Sequence, residues 1–296
     1  MTETKLAWQS KAVLLAVLPF AATNALLESL VWFAEARPVA IWTLGLSALL
    51  GLITWRIRAA TAGASATGAM ITASLMLSTI VFPYEPWHTA LIPVLAVSLL
   101  AFAATRVGRR KKARLDTAEA KLGRAASQVA ANLGVAGLVV VEPFQSWLLD
   151  ARWLMHATRS GVSLLVLAVA ALAEAGADTV SSEIGQVLGG KPRLITTFRA
   201  VEPGRDGAVS IAGTLAGALA AGIVAGLGTW ALRGGWRMFW VGCAGAVFGL
   251  FFDSLLGATM EERGWLNNDA VNFLSTASSA GFALAMLAFW RWASGS

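Results

Sequence analysis

The chain has 296 residues, 57% of them hydrophobic and 14% charged, with a net charge of +6. That balance excludes a disordered chain and an ordinary soluble domain, and the continuous apolar runs approach the ~20 residues that a spanning helix needs. Helices and closed barrels alone satisfy the backbone in lipid, and these runs do not alternate as barrel strands do, so the expected fold is an all-α polytopic transmembrane bundle forming one integral membrane domain over residues 1–296, with no nucleic-acid partner.

Taken in chain order, the runs predict about nine spans of this kind, near 12–34, 38–56, 64–82, 89–105, 122–142, 153–177, 208–232, 236–256 and 270–292. Lys5 and Lys11 precede the first run as they would in a signal peptide, but apolar character continues through Leu30–Phe33, which predicts a retained helix. The third span is rich in small residues, including Gly63 and Gly68, and suits close packing or a re-entrant path. A basic run, Arg106–Arg114, follows the fourth span. Next comes GRAASQVAAN, in which Arg124, Gln128 and Asn132 are spaced by four and share a helix face.

The sixth span runs into AEAGADTVSSEIG. Glu174, Asp178 and Ser181/Ser182 recur every three or four residues and so lie on one face, followed by Glu183. A glycine-rich basic loop comes after it, with Lys191, Arg193, Arg199, Arg205 and Asp206. In the next two spans Gly213/Gly217, Gly222/Gly226 and Gly245/Gly249 have the spacing of closely packed helices. Asp253 ends an otherwise apolar run, which makes it a functional candidate by default. In the last span Asn268, Asn272, Ser275 and Ser279 form a polar stripe with Asp269 beside it. Such a stripe faces protein or water and serves either a site or interhelical hydrogen bonding.

Orientation follows from Lys and Arg. With the N-terminus in the cytoplasm, alternating spans place most of the 23 basic residues on the cytoplasmic side. The loops 106–124, 178–207 and 253–269 then share that face, as expected for a bacterial inner-membrane protein with a cytoplasmic active site. Known catalytic motifs are missing: the Gly189-Gly190-Lys191-Pro192 stretch lacks P-loop spacing, and there is no GxSxG, HExxH or CxxC. Cys243 has no partner for an intramolecular disulfide, and His88 and His156 lack metal-ligand spacing.

The stretches ADTVSSEIG, RLITTFRAVEPGRDGAVSIAGT, DSLLGAT and NNDAVNFLST, with TRVGRRKK and GRAASQVAAN before them, resemble the polytopic membrane family that contains plant phytyl-phosphate kinase and an uncharacterised vertebrate transmembrane protein. The resemblance covers most of the chain from about residue 60, by the order of its motifs. It implies transfer of a phosphoryl group from a nucleoside triphosphate, with CTP the first choice, to an isoprenoid or other lipid monophosphate, with Mg²⁺ and in contact with membrane lipids.

Phosphoryl transfer needs charge neutralisation and positioning above all. On residue chemistry Asp178, Glu183 and Asp253 are assigned as the catalytic set, and together with Asp269 as metal ligands. Arg124, Lys191, Arg199 and Arg205 would hold phosphates, and the 204–210 loop, with Gly204, Asp206, Gly207 and Ser210, would cradle them through its backbone N–H groups at a helix start. Gln128, Asn132, Ser182, Asn268 and Asn272 complete the substrate- and nucleotide-binding set. Two alternatives stand open: a nucleotidyl transferase making a CDP-lipid from the same parts, and a lipid-phosphate or ion transporter using the intramembrane carboxylates.

Overall fold

The structure, a computed structural model, describes residues 7–114, 123–150 and 164–294. His156 and the first part of the predicted 153–177 span lie outside the described residues. The fold is an α-helical bundle, as its apolar runs require. Helix α1 (Ala7–Glu35) is followed by α2 (Arg37–Arg56), α3 (Ala62–Leu77), α4 (Leu91–Arg106), the short basic α5 (Arg109–Arg114) and α6 (Ala126–Val139). Then come α7 (Glu142–Asp150), α8 (Leu165–Leu188), a two-stranded antiparallel ribbon of β1 (Arg193–Leu194) and β2 (Ala208–Val209), α9 (Ile211–Ala231), α10 (Trp236–Leu256), a π turn at Gly257–Glu261, and α11 (Asn268–Ser294).

Among the described residues, six helices are long and apolar enough to cross a membrane: α1, α2, α8, α9, α10 continued through its π turn, and α11. Helices α6 and α7 together form a broken pair bent by 59°, while α3 and α4 are apolar but shorter. The third predicted span is therefore a helix of only 16 residues. The sixth ends later than predicted: its helix, described from Leu165, continues to Leu188, so Asp178, Ser182 and Glu183 sit on helix and not in a loop. Hydropathy averages placed its end too early, because the last turns of α8 carry polar side chains that line a cleft.

Helix α8 is the hub, packing against α4, α6, α9, α10 and α11. Within its apolar stretch 78% of residues are buried, against 28% in α1 and α2, which present Leu15, Phe20, Ile41, Trp42 and Leu49 outward. Large apolar side chains directed outward on many helices are what a hydrocarbon solvent accommodates. Packing between helices depends on small residues. A Cβ at Gly217 would lie 2.8 Å from the Ser181 Cβ, and one at Gly249 would lie 2.5 Å from the Glu174 Cγ. Of the glycine pairs expected to pack, Gly222 is the exception, with open space around it.

One end of the bundle collects the polar connections. Ala59–Thr61, after α2, pairs with Arg124 before α6: the Arg124 amide donates to the Ala59 carbonyl at 3.1 Å, and the Thr61 amide donates to the Arg124 carbonyl at 3.0 Å. Helix α5 folds over the ends of α4 and α8, where Lys111 Nζ donates to the Val187 carbonyl at 2.6 Å. The start of α1 is tied to the α10–α11 connection, since Gln9 Nε2 donates to the Trp265 carbonyl at 2.8 Å and Asn267 Nδ2 donates to Ser10 Oγ at 3.0 Å. Side chains start the helices that leave this end. Thr61 caps α3, Ser210 caps α9, and Asn267 Oδ1 accepts from the Ala270 amide at the start of α11.

Candidate functional site

At the polar end a cleft of about 370 Å³ opens between α6, α8, α10, α11 and the loop before β2. Its centre is a pair of aspartates from different helices. Asp178 on α8 lies within hydrogen-bonding reach of Asp253 on α10, with Arg124 and Glu183 in electrostatic range. The Asp253 Oδ2 atom is buried without a hydrogen-bond partner, and so is Oε1 of Glu174, one turn deeper on the same face of α8. Glu174 is 1% exposed, within reach of Ser275 and packed against Gly249. Carboxyl groups this close together call for a proton or a cation between them.

The cleft gathers most of the residues singled out in the sequence. Arg124, Gln128, Asn132, Asp178, Ser182, Glu183, Gly204, Arg205, Asp206, Gly207, Ser210, Asp253, Asn268 and Asn272 all line it. Three others that were assigned a site role do not. Lys191, just before β1, and Arg199, in the connection between β1 and β2, are exposed and do not line the cleft. Asp269 points to α1, where Ser10 Oγ donates to its Oδ2 at 2.6 Å, so its carboxylate holds the first helix.

Several residues inside the cleft carry structural bonds that local patterning could not announce. Glu183 forms an ion pair with the buried Lys112, whose ammonium also donates to the Ala104 carbonyl at 2.9 Å. Thr105 Oγ1 adds a bond to Glu183 at 3.3 Å. Glu183 therefore clamps α5 and α4 to α8. Arg205 Nε donates to Glu262 Oε1 at 2.8 Å, which ties the glycine loop to the segment after the π turn. Gln128 Oε1 accepts the Ala125 amide at 2.7 Å and closes the first turn of α6. Asn272 Nδ2 donates to Asn132 Oδ1 at 3.1 Å, and Ser279 Oγ donates to the Ala170 carbonyl at 2.9 Å, so the polar stripe of α11 also serves interhelical bonding.

The loop 204–210 meets the π turn tightly. Gly207 adopts φ +71°, and a Cβ there would lie 2.4 Å from the Ala258 amide nitrogen, so no other residue fits. Two of the amides expected to cradle a phosphate are used within the turn: Arg205 donates to the Glu202 carbonyl and Ala208 to the Arg205 carbonyl. Partial desolvation, and then the nearby Glu262 charge, hold the Asp206 carboxyl above its ordinary range. Glu261 on the π turn also lines the cleft and had no sequence signal, because a π turn carries no spacing rule that aims its side chains.

The four carboxylates assigned to a metal do not form a cage. Among the described residues no three His, Cys, Asp or Glu groups stand ready to enclose an ion. Mg²⁺ asks for less, using one or two protein carboxylates and completing its shell with water and phosphate oxygens. The Asp178–Asp253 pair, with the buried Oδ2 of Asp253 lacking a partner, meets that requirement, whereas Glu183 and Asp269 are committed to Lys112 and Ser10.

Comparison with known proteins finds relatives of the chain by sequence. The family described as integral membrane protein DUF92 matches residues 45–280. The uncharacterized membrane protein MJ0933 of Methanocaldococcus jannaschii is 44% identical over 108 residues, 36% of this chain and 45% of that protein. The uncharacterized membrane protein sll0875 of Synechocystis is 29% identical over 71% of this chain and 78% of its own length. Protein VTE6, chloroplastic, of Arabidopsis thaliana is 30% identical over 77% of this chain and 66% of its own length. No solved structure matches the chain.

Proposed function

The chain belongs to the integral membrane family DUF92, and on that premise we propose that it is a membrane-embedded kinase that passes a phosphoryl group from a nucleoside triphosphate to an isoprenoid monophosphate. One observation carries the reading: two aspartates from separate helices face each other in a cleft that also holds Arg124 and a glycine loop. The resemblance of the cleft motifs to the family with plant phytyl-phosphate kinase, and the match to Protein VTE6, support it.

Asp178 and Asp253 would hold Mg²⁺ between them. When bound, that ion supplies positive charge against the phosphate oxygens of the donor. Arg124, close enough to Asp178 to feel its charge, presents a guanidinium fork suited to a terminal phosphate. Asn132 and Asn268 line the same cleft with amide groups that can accept and donate to a nucleotide. The loop 204–207, fixed by Gly207 against Ala258, would close one side over the phosphates. The Lys112–Glu183 pair keeps α5 and α8 together beside the cleft without taking part in transfer.

Protein in nanodiscs, incubated with Mg²⁺ and labelled CTP or ATP, is tested against a panel of prenyl monophosphates. The expected result is a prenyl diphosphate together with a released nucleoside diphosphate. Release of pyrophosphate with a CDP-lipid would replace the kinase by nucleotidyl transfer. No product with any donor and acceptor would overturn the reading.

A further inference from the structure

Beside the polar cleft lies a second cavity of about 480 Å³, lined by α2, α3, α4 and α6. We infer that it seats the hydrocarbon tail of a single-chain isoprenoid phosphate, whose phosphate meets Arg124 where cavity and cleft join. The inference rests on the kinase reading for the identity of the headgroup, and on the cavity itself for the tail.

The cavity exists because the side chains around it are small. Gly51, Ala64, Ser65, Gly68, Ala69 and Ala101 line it, where larger residues would have closed the space. Helices α2 and α4 both contribute walls without packing together as a pair, and α3 meets α4 only sparsely. From Val94 to Arg106 the wall formed by α4 runs ~18 Å at the 1.5 Å helical rise per residue. A slot of this volume lies within the range of small-ligand sites and suits one chain.

Charge marks one end of the slot. Arg58, Arg106, Arg109 and Arg124 all line it there, opposite the apolar end formed by Leu50 and Val94. An anionic headgroup on an apolar chain complements that polarity. Arg124 and Asn132 belong to both cavities, so a headgroup at the basic end reaches the polar cleft without leaving the slot. Arg124 is placed there by its backbone. It pairs with Ala59–Thr61, and the preceding Gly123 adopts φ +77°, with its missing Cβ only 2.5 Å from the Ala59 carbonyl carbon. The guanidinium is steadied by Thr179 Oγ1 at 3.5 Å on α8, the helix that carries Asp178.

The test uses full-length protein in phosphatidylcholine nanodiscs with farnesyl monophosphate carrying a diazirine on its last isoprene. Photolysis should give adducts on side chains that line the slot, such as Leu50, Ala69, Thr72, Val94 and Ser98. An excess of geranylgeranyl monophosphate should suppress them, and inorganic phosphate should not. Filling the slot with Ser98→Trp, or separately with Ala69→Phe, should lower adduct yield roughly tenfold or more, as expected when apolar contacts to a chain are lost. Should a variant fail to fold, the adduct map of the unaltered protein decides alone. Adducts confined to outward side chains such as Leu99 and Ile53 would overturn the inference. So would displacement by phosphatidic acid as effective as that by prenyl phosphate, which would mark a site for bilayer phospholipid. Adducts in the slot with no phosphoryl transfer would keep the tail site and remove the kinase. Undiminished transfer to farnesyl monophosphate in a folded Ser98→Trp protein would keep the kinase and remove the tail site.

Discussion

Asp253 separates a working site from a scaffold. Its sequence neighbours, Phe252 and Leu255, offer it no solvation, and its spatial neighbours are acidic: Asp178, Glu174 and Glu261. Replacing one of several crowded carboxyls with an amide removes like-charge repulsion and a desolvation cost, so Asp253→Asn should melt in detergent at or above the temperature of the parent. Turnover should fall by several powers of ten, since charge stabilisation by a bound metal is worth several kcal/mol at about 1.36 kcal/mol per tenfold. Stabilisation of the parent by Mg²⁺ with nucleotide should vanish in the variant. A folded Asn variant with full turnover would remove Asp253 from the site. Glu183 shows the opposite case: it has the same chemistry and lies in the same cleft, yet its charge is answered by Lys112 and Thr105. Residue type and position at the end of an apolar run nominated both carboxylates, and only the partner brought from a distant stretch of chain distinguishes them.

At the scale of elements, the site depends on how closely α8, α10 and α11 approach. Gly249 is the tightest point. A Cβ there would meet the Glu174 Cγ at 2.5 Å, the Ser279 Cβ at 2.9 Å and the Ser275 carbonyl at 3.0 Å. Gly249→Val must push α10 away from both neighbours, and overpacking of this kind costs about 1–3 kcal/mol. It also moves Asp253, one turn along α10, relative to Asp178. The expected outcome is a lower melting temperature with turnover reduced even in the protein that remains folded at the assay temperature. Gly222→Val, which faces open space on α9, should leave both close to the parent. The small-xxx-small spacing was legible in the sequence for all of these glycines. Which of them face a helix was not, because spacing defines a stripe and not the neighbour that lies against it. The end of α8 was misplaced for a related reason: polar side chains in its last turns line the cleft and lower the local hydropathy while the helix itself continues.

On the scale of the whole molecule, the connections 57–61, 189–210 and 257–267 meet at one end with the described residues 107–114 and 123–125, and the connection 78–90 meets the α9–α10 turn at the other. There His88 Nδ1 lies 3.1 Å from the Ala231 carbonyl, and Arg233 Nη2 donates to Glu85 at 2.9 Å. In a Cys243→Ala background, Arg193→Cys and Lys111→Cys should resist an impermeant thiol reagent in intact cells and react after the membrane is opened, whereas Arg233→Cys should react from outside. Labelling of position 193 from outside would reverse the orientation. The sequence by itself determined the helical membrane fold, because hydropathy and backbone hydrogen bonding in lipid are local constraints, and it determined the family through ordered motifs. It also nominated most of the residues in the cleft, because helical period is local as well. Only the tertiary structure decided which nominees share a site and which serve elsewhere. Asp178 meets Asp253, Arg205 goes to Glu262 and Asp269 to Ser10, and Arg124 stands at the join of two cavities. These outcomes depend on pairings between segments far apart in the chain, and periodicity within a helix carries no information about what another helix brings to it.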